Sequence, residues 1–141
     1  MTFTIVPYVG ALPIKFGMLE EEIVAIIGEP MIRSRTAGGH KCRDYDTFTV
    51  GYSDDGKVNH IGFLPGSQVE LNGVDPFHPL GFEKLLEMDG QAMELLGAVV
   101  LLNLGIALEG FDTDDESGKG IAVFVKCEYD NLRHLMVPHA S

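Results

Sequence analysis

The chain has 141 residues, 45% of them hydrophobic and 22% charged, with 21 acidic against 10 basic side chains and a formal net charge of -11. That length supplies one well-buried core and is too short for two independent ones, and the apolar content excludes a disordered chain. The acidic field repels nucleic acid and anionic membrane, so a basic protein is the favoured class of partner.

Two cysteines, Cys42 and Cys127, make no disulfide framework and read as free thiols, with Cys127 a small core residue of an apolar strand. The N-terminal stretch has neither the positive nor the continuous apolar region of a signal peptide, and the longest apolar run, Ala98 to Leu102, is far short of a membrane span. The expectation is a cytoplasmic protein.

Residues 1–16 mix Pro7 and Pro13 with scattered apolar side chains and read as an extended lead-in lying on the core. From Met18 to Pro30, Leu19, Ile23, Ile26 and Ile27 fall at helical spacing behind three glutamates, and Gly28 with Pro30 stops the helix. Met31 to Thr36 reads as a strand with Arg33 and Arg35 on one face, and Ala37 to Asp46 as a loop or irregular hairpin end. Phe48, Val50 and Tyr52 alternate with polar or small residues, and the turn Ser53-Asp-Asp-Gly-Lys57 returns the chain through Val58 to Leu64 in a β-hairpin. Alternation leaves two registers for the return strand, with either Val58 and His60 or Ile61 and Phe63 on the core.

Pro65 to Pro79 reads as a connector with a short strand at Gln68 to Leu71. Gly81 to Met88 is a second helix with Phe82, Leu85 and Leu86 on one side and Asp89-Gly90 as its stop, and Gln91 to Leu96 either prolongs it or enters the sheet. Gly97 to Phe111 and Gly120 to Tyr129 are the most apolar stretches and read as two adjacent strands around an acidic loop, Asp112 to Gly118.

The implied fold is α+β: one domain over residues 1–141, an antiparallel sheet carrying two helices on one face. A first half, 1–64, and a second, 80–141, each run helix, strand, hairpin, which suggests a pseudo-duplication joined by the connector 65–79.

The stretch Phe16-Gly-Met-Leu-Glu-Glu-Glu-Ile-Val-Ala-Ile-Ile-Gly-Glu-Pro30, with the following strand and Val50-Gly-Tyr-Ser-Asp-Asp-Gly-Lys-Val-Asn-His-Ile61, resembles a known repeat unit. That unit belongs to the fold shared by β-lactamase inhibitor protein and the small outer-membrane assembly lipoproteins, and the likeness covers about 50 residues. The resemblance implies a bacterial protein that binds another protein, as both groups do, with small acidic immunity proteins as a cytoplasmic parallel. The lipidated cysteine of the lipoproteins has no counterpart in this chain.

No catalytic elbow, phosphate loop or zinc-protease motif is present. His40 and Cys42 with Cys127 and His134 lack the paired spacing of a zinc site, and the Asp112 loop lacks the glycine and distal glutamate of an EF-hand, so no metal or other cofactor is expected. Two candidate regions remain. Asp112, Asp114, Asp115 and Glu116 would meet a basic patch on a partner; Arg33, Arg35, His40 and Arg43, near Tyr52 and His60, would hold an anion or line a pocket between sheet and helices unless Asp44 and Asp46 neutralise them. A pairing of the Cys127 thiol with the His60 or His134 imidazole is disfavoured by the place of Cys127 in an apolar strand. Three functions follow: a non-enzymatic inhibitor or immunity-type protein acting by steric and electrostatic occlusion; a small-molecule-binding or enzymatic domain using the pocket near Tyr52, His60 and Arg33; and a self-associating homodimer without chemistry.

Overall fold

The computed structural model describes residues 1–111 and 118–139. In chain order these form β1 (Thr2–Val6), β2 (Gly10–Leu12), β3 (Ile14–Lys15), α1 (Glu20–Ile27), β4 (Ile32–Arg35), β5 (Lys41–Asp44), β6 (Phe48–Tyr52) and β7 (Val58–Phe63). There follow β8 (Gln68–Glu70), α2 (Gly81–Asp89), β9 (Met93–Leu95), β10 (Ala98–Leu101), β11 (Ile106–Glu109), β12 (Gly120–Phe124), a 3-10 helix Asp130–Leu135 and β13 (Val137–Pro138). The protein is α+β and mostly sheet.

A nine-stranded antiparallel sheet runs β13-β9-β10-β11-β12-β7-β6-β5-β4, and a four-stranded sheet runs β3-β2-β1-β8. At the centre of the large sheet β7 lies antiparallel to β12, with Phe63 opposite Ile121, Ile61 opposite Val123 and His60 opposite Phe124. One face of that sheet, through Val50, Tyr52, Ile61, Phe63, Ile106, Leu108, Ile121 and Val123, joins the main hydrophobic cluster. Ile23 of α1, Leu85 of α2 and Phe3, Ile5, Ile14 and Val69 of the small sheet belong to the same cluster. The other face of its second half carries a smaller cluster of Leu95, Val100, Ala107 and Phe124, over which Met136, Tyr8 and Tyr129 pack.

Both helices stop where expected. Gly28 follows α1 and donates to the carbonyl of Val24, and Gly90 follows α2 at φ +77, a left-handed end that glycine adopts without strain. The spacing of α1 buries Ile23 fully, while Leu19 and Ile26 stay 38% and 41% exposed, so its apolar stripe is narrower than the sequence implies.

The β6–β7 hairpin forms, and its register combines the two sequence alternatives. Tyr52 pairs with Val58 but Gly51 pairs with His60, so Asn59 is an extra residue on β7. This bulge rotates the strand, placing Val58 with Ile61 and Phe63 on the core and turning His60 away.

Four expectations are corrected. Residues 1–16 are not a lead-in but three strands, and β1 pairs in parallel with β8, Phe3 opposite Val69. Part of the stretch 37–46, expected as a loop or irregular hairpin end, is the regular strand β5, held between β4 and β6. The apolar run 97–109 is two strands, β10 and β11, joined by a turn in which Gly105, at φ +70, donates to the carbonyl of Leu101. Cys127 is no core residue: it is exposed in the turn after β12, at φ +74. Residues 91–96, open in the sequence, contribute β9, which pairs with both β10 and β13.

The β10–β11 turn depends on Asp89, the last residue of α2 and 6% exposed. Its carboxylate accepts from the amides of Asn103 at 2.9 Å and Leu104 at 3.2 Å, and from Gln91 at 3.3 Å, while the Asn103 side-chain amide donates to the Asp89 carbonyl at 2.8 Å. A buried carboxylate is tolerable here because several donors replace its water. Asp89→Ala leaves those amides without an acceptor and is expected to cost roughly 2–4 kcal/mol in urea unfolding, with Asp89→Asn recovering part of the loss.

Candidate functional site

The half-sheet β4–β7 has an uncovered face, and the cross-strand register sets its composition. Paired residues project to the same side, so the row Ser34, Cys42, Gly51, His60, Phe124 crosses it from β4 to β12, and a second row runs Asp44, Thr49, Gly62, Ala122, Ala107. Beyond Phe124 and Ala107 the face is roofed by the smaller cluster; before them it is open.

Two clefts meet at His60 and Thr49. One, of about 230 Å³, is lined by these two with Gly62, Leu64, Glu109, Gly120 and Ala122. The other, of about 240 Å³, adds Thr36, His40, Lys41, Cys42, Asn59 and Glu128. Small residues make them: a Cβ at Gly62 would stand 2.8 Å from the Thr49 hydroxyl oxygen, and one at Gly51 3.2 Å from the His60 Cβ. The groove exists because side chains are missing between the histidine and its neighbours.

His60 is half-buried. Burial lowers its pKa from the ordinary value, while the carboxylates of Glu128 and Glu109 pull the other way and do not prevail. Burial likewise pushes up the Tyr129 hydroxyl, with Glu128 and Glu109 adding to the shift. Two glutamates, from the end of β11 and from the turn after β12, thus bear on one region of the open face.

The residues named from sequence separate into three places. His60 and His40 line the groove, with the His40 Nδ1 2.9 Å from Asp54. Arg33 and Arg43 face α1: Arg33 pairs with Glu29, and Arg43 Nε donates to Glu20 at 2.5 Å, with Lys41 3.8 Å from the same carboxylate. Arg35 donates to the carbonyl of Gly39. Among the described residues the cluster's ion pairs are to Glu20 of α1 and to Glu29 just beyond it rather than to Asp44 and Asp46, and the hydrogen bond from Arg43 holds the Glu20 carboxyl below its usual range. Asp112, Asp114, Asp115 and Glu116 lie outside the described residues.

Tyr52 belongs to the core, 1% exposed, and its hydroxyl has no hydrogen-bond partner among the described residues. Burial pushes its pKa up, with Glu20 and Tyr45 adding to the shift. The bulge at Asn59 therefore turns the Tyr52 side chain to the core and His60 to the open face, although both residues line the second cleft. Thr49, Glu109 and Glu128 were not singled out there; the alternation of Phe48, Val50 and Tyr52 marks Thr49 as non-core, but nothing local marks the glutamates.

Chemically, the groove offers a mostly neutral imidazole, a thiol, two carboxylates and small-residue floors. Cys42 and His60 lie across Gly51, but burial and then Asp44 push the Cys42 thiol up, away from the thiolate a nucleophile needs. Cys127 is raised by its Asp130 contact. No cluster of metal-ligating residues occurs among the described residues, and none of their helices is long and apolar enough to cross a membrane. The chain matches no protein-family profile, no curated protein and no solved structure.

Two measurements check these environments. In an NMR titration His60 is expected to protonate below the usual value of about 6.5, and lower still in Glu128→Gln, which removes a charge favouring the imidazolium. Because the unfolded chain takes that proton first, stability contributed by His60 is complete above about pH 6.5 and falls as pH drops toward the folded pKa. Tyr52→Phe, which removes a hydroxyl lacking a partner, is expected to leave urea stability unchanged or raise it by up to about 1 kcal/mol.

Proposed function

We propose that this chain is a non-enzymatic protein-binding domain, of inhibitor or immunity type, that receives its partner on the open face of the β4–β7 half-sheet. The observation carrying this reading is the asymmetry of the large sheet. The chain's own Tyr8, Tyr129 and Met136 cover one half of that face, whereas the other keeps a groove with His60 at its middle and Leu64 49% exposed at its side. A sheet face left partly uncovered in a chain with ample apolar residues is the kind of surface that a partner fills.

Charge adds direction. A net charge of -11, four carboxylates of it in the run Asp112 to Glu116, accelerates encounter with a basic surface and slows it with an acidic one. Steric occlusion by the sheet with electrostatic steering needs no catalytic group. The raised Cys42 thiol weighs against the enzymatic reading.

The resemblance to the β-lactamase inhibitor and lipoprotein repeat belongs to the same proposal. Its support is the order of elements: α1 followed by β4, β5, β6 and β7, then α2 followed by β9, β10, β11 and β12, with β7 against β12 at the middle of the sheet. Duplication of a helix-plus-meander unit, with both helices against one face, accounts for that order. Ile23 and Leu85 sharing a cluster fits this arrangement.

Thr49 lines both clefts, so Thr49→Arg would fill the groove without entering the core. Affinity capture from the native host should recover a protein with the wild-type chain and with Glu21→Lys on α1, and lose it with Thr49→Arg. Its association rate should fall steeply as salt rises. Capture that survives Thr49→Arg with undiminished affinity removes the open face as the binding surface.

A further inference from the structure

We infer that the groove astride His60 is a receptacle for an arginine side chain carried on a loop of the protein partner, an inference that rests on the open-face reading above. The cleft beside Gly62 and Ala122 has the volume for it: about 230 Å³, where an apolar cavity of about 150 Å³ suffices for a benzene ring. Its floor is nearly featureless, which suits an extended hydrocarbon stem, and its wall is the His60 imidazole, a flat surface on which a guanidinium stacks.

The rim supplies the counter-charge. Glu109 lines this cleft and Glu128 the adjoining one, and both act on His60, so they face the ring from two separate segments of chain. Neither forms an ion pair among the described residues. The nearby cations are engaged elsewhere: Lys41 lies 3.8 Å from Glu20, His40 2.9 Å from Asp54, and Lys119 stacks over the Phe111 ring. With burial keeping the imidazole neutral, the groove presents negative charge around an apolar slot. A planar, forked cation on a long stem fits that pattern better than a compact ammonium, which is more strongly hydrated.

The probes are three blocked tripeptides, acetyl-Gly-X-Gly-amide, with X arginine, its neutral isostere citrulline, or lysine, titrated into the isotopically labelled full chain. With arginine the His60 ring and Gly62 amide resonances should shift saturably, with citrulline binding roughly tenfold weaker and lysine in between. Glu109 is exposed, so Glu109→Gln should keep the amide spectrum and bring arginine affinity closer to that of citrulline without altering citrulline binding, Glu128 retaining the remainder of the difference. Equal affinity for arginine and citrulline overturns the inference. So does the absence of a saturable shift at millimolar peptide, or a shift dispersed over the acidic surface and unchanged in Glu109→Gln. If the peptides fail while Thr49→Arg still abolishes capture of the partner, the open face stands and arginine is the wrong occupant; if capture survives Thr49→Arg, the face itself is wrong.

Discussion

The pairing of β7 with β12 is the contact on which both faces of the protein depend. Four register pairs, Phe63 with Ile121, Gly62 with Ala122, Ile61 with Val123 and His60 with Phe124, join two local meanders into one sheet. Alternation then assigns consequences: the first and third pairs close the main core, and the second and fourth form the middle of the opposite face. A slip of β7 by one residue would exchange its two sets, putting His60 among Phe3, Ile5 and Leu108 and exposing Ile61 and Phe63 to water. The apolar area at stake makes that slip costly, which is why a weakly specific polar groove can sit opposite a strongly specified core.

The balance of charge follows the same division. Arg33, Lys41 and Arg43 on β4 and β5 are answered by Glu20 of α1 and Glu29 just beyond it, so three of the basic side chains in the most basic part of the sequence are engaged in ion pairs within the fold. Glu109 and Glu128, which border the groove, form no such ion pair among the described residues. The open face consequently inherits the sign of the whole chain, and a histidine kept neutral by burial does little to offset it.

What the sequence discloses is what is determined locally. The helix α1 shows in the spacing of Leu19, Ile23, Ile26 and Ile27 and in Gly28, the hairpin in Asp54-Asp-Gly56, and the end of α2 in Asp89-Gly90. The β10–β11 turn is hidden because Leu102 and Leu104 continue an apolar run and the carboxylate that caps the turn comes from Asp89, on another element. The strands of residues 1–16 are hidden for the same kind of reason: β1 finds its parallel partner at Gln68 to Glu70, and Pro7 and Pro13 blur its alternation. The site was half legible. His60 stands out as a histidine within a hairpin, but the bulge at Asn59 that parts it from Tyr52, and the approach of Glu109 and Glu128, follow from cross-strand geometry that no single segment carries.

The central pairing also sets an order of events during synthesis. β7 ends at Phe63, and the strand that covers its edge begins only at Gly120, so a growing chain carries an unpaired apolar strand edge until β12 has been made. The small sheet waits too, since β1 needs β8 and the Tyr8 hydroxyl donates to the carbonyl of Leu102. Contacts this distant along the chain slow folding and leave the nascent first half dependent on its helix and polar turns to stay apart from neighbouring chains. The charged strand β4, with Arg33 and Arg35 at the other edge of the same half-sheet, guards that side throughout, which leaves the β7 edge as the place where a chaperone would be needed.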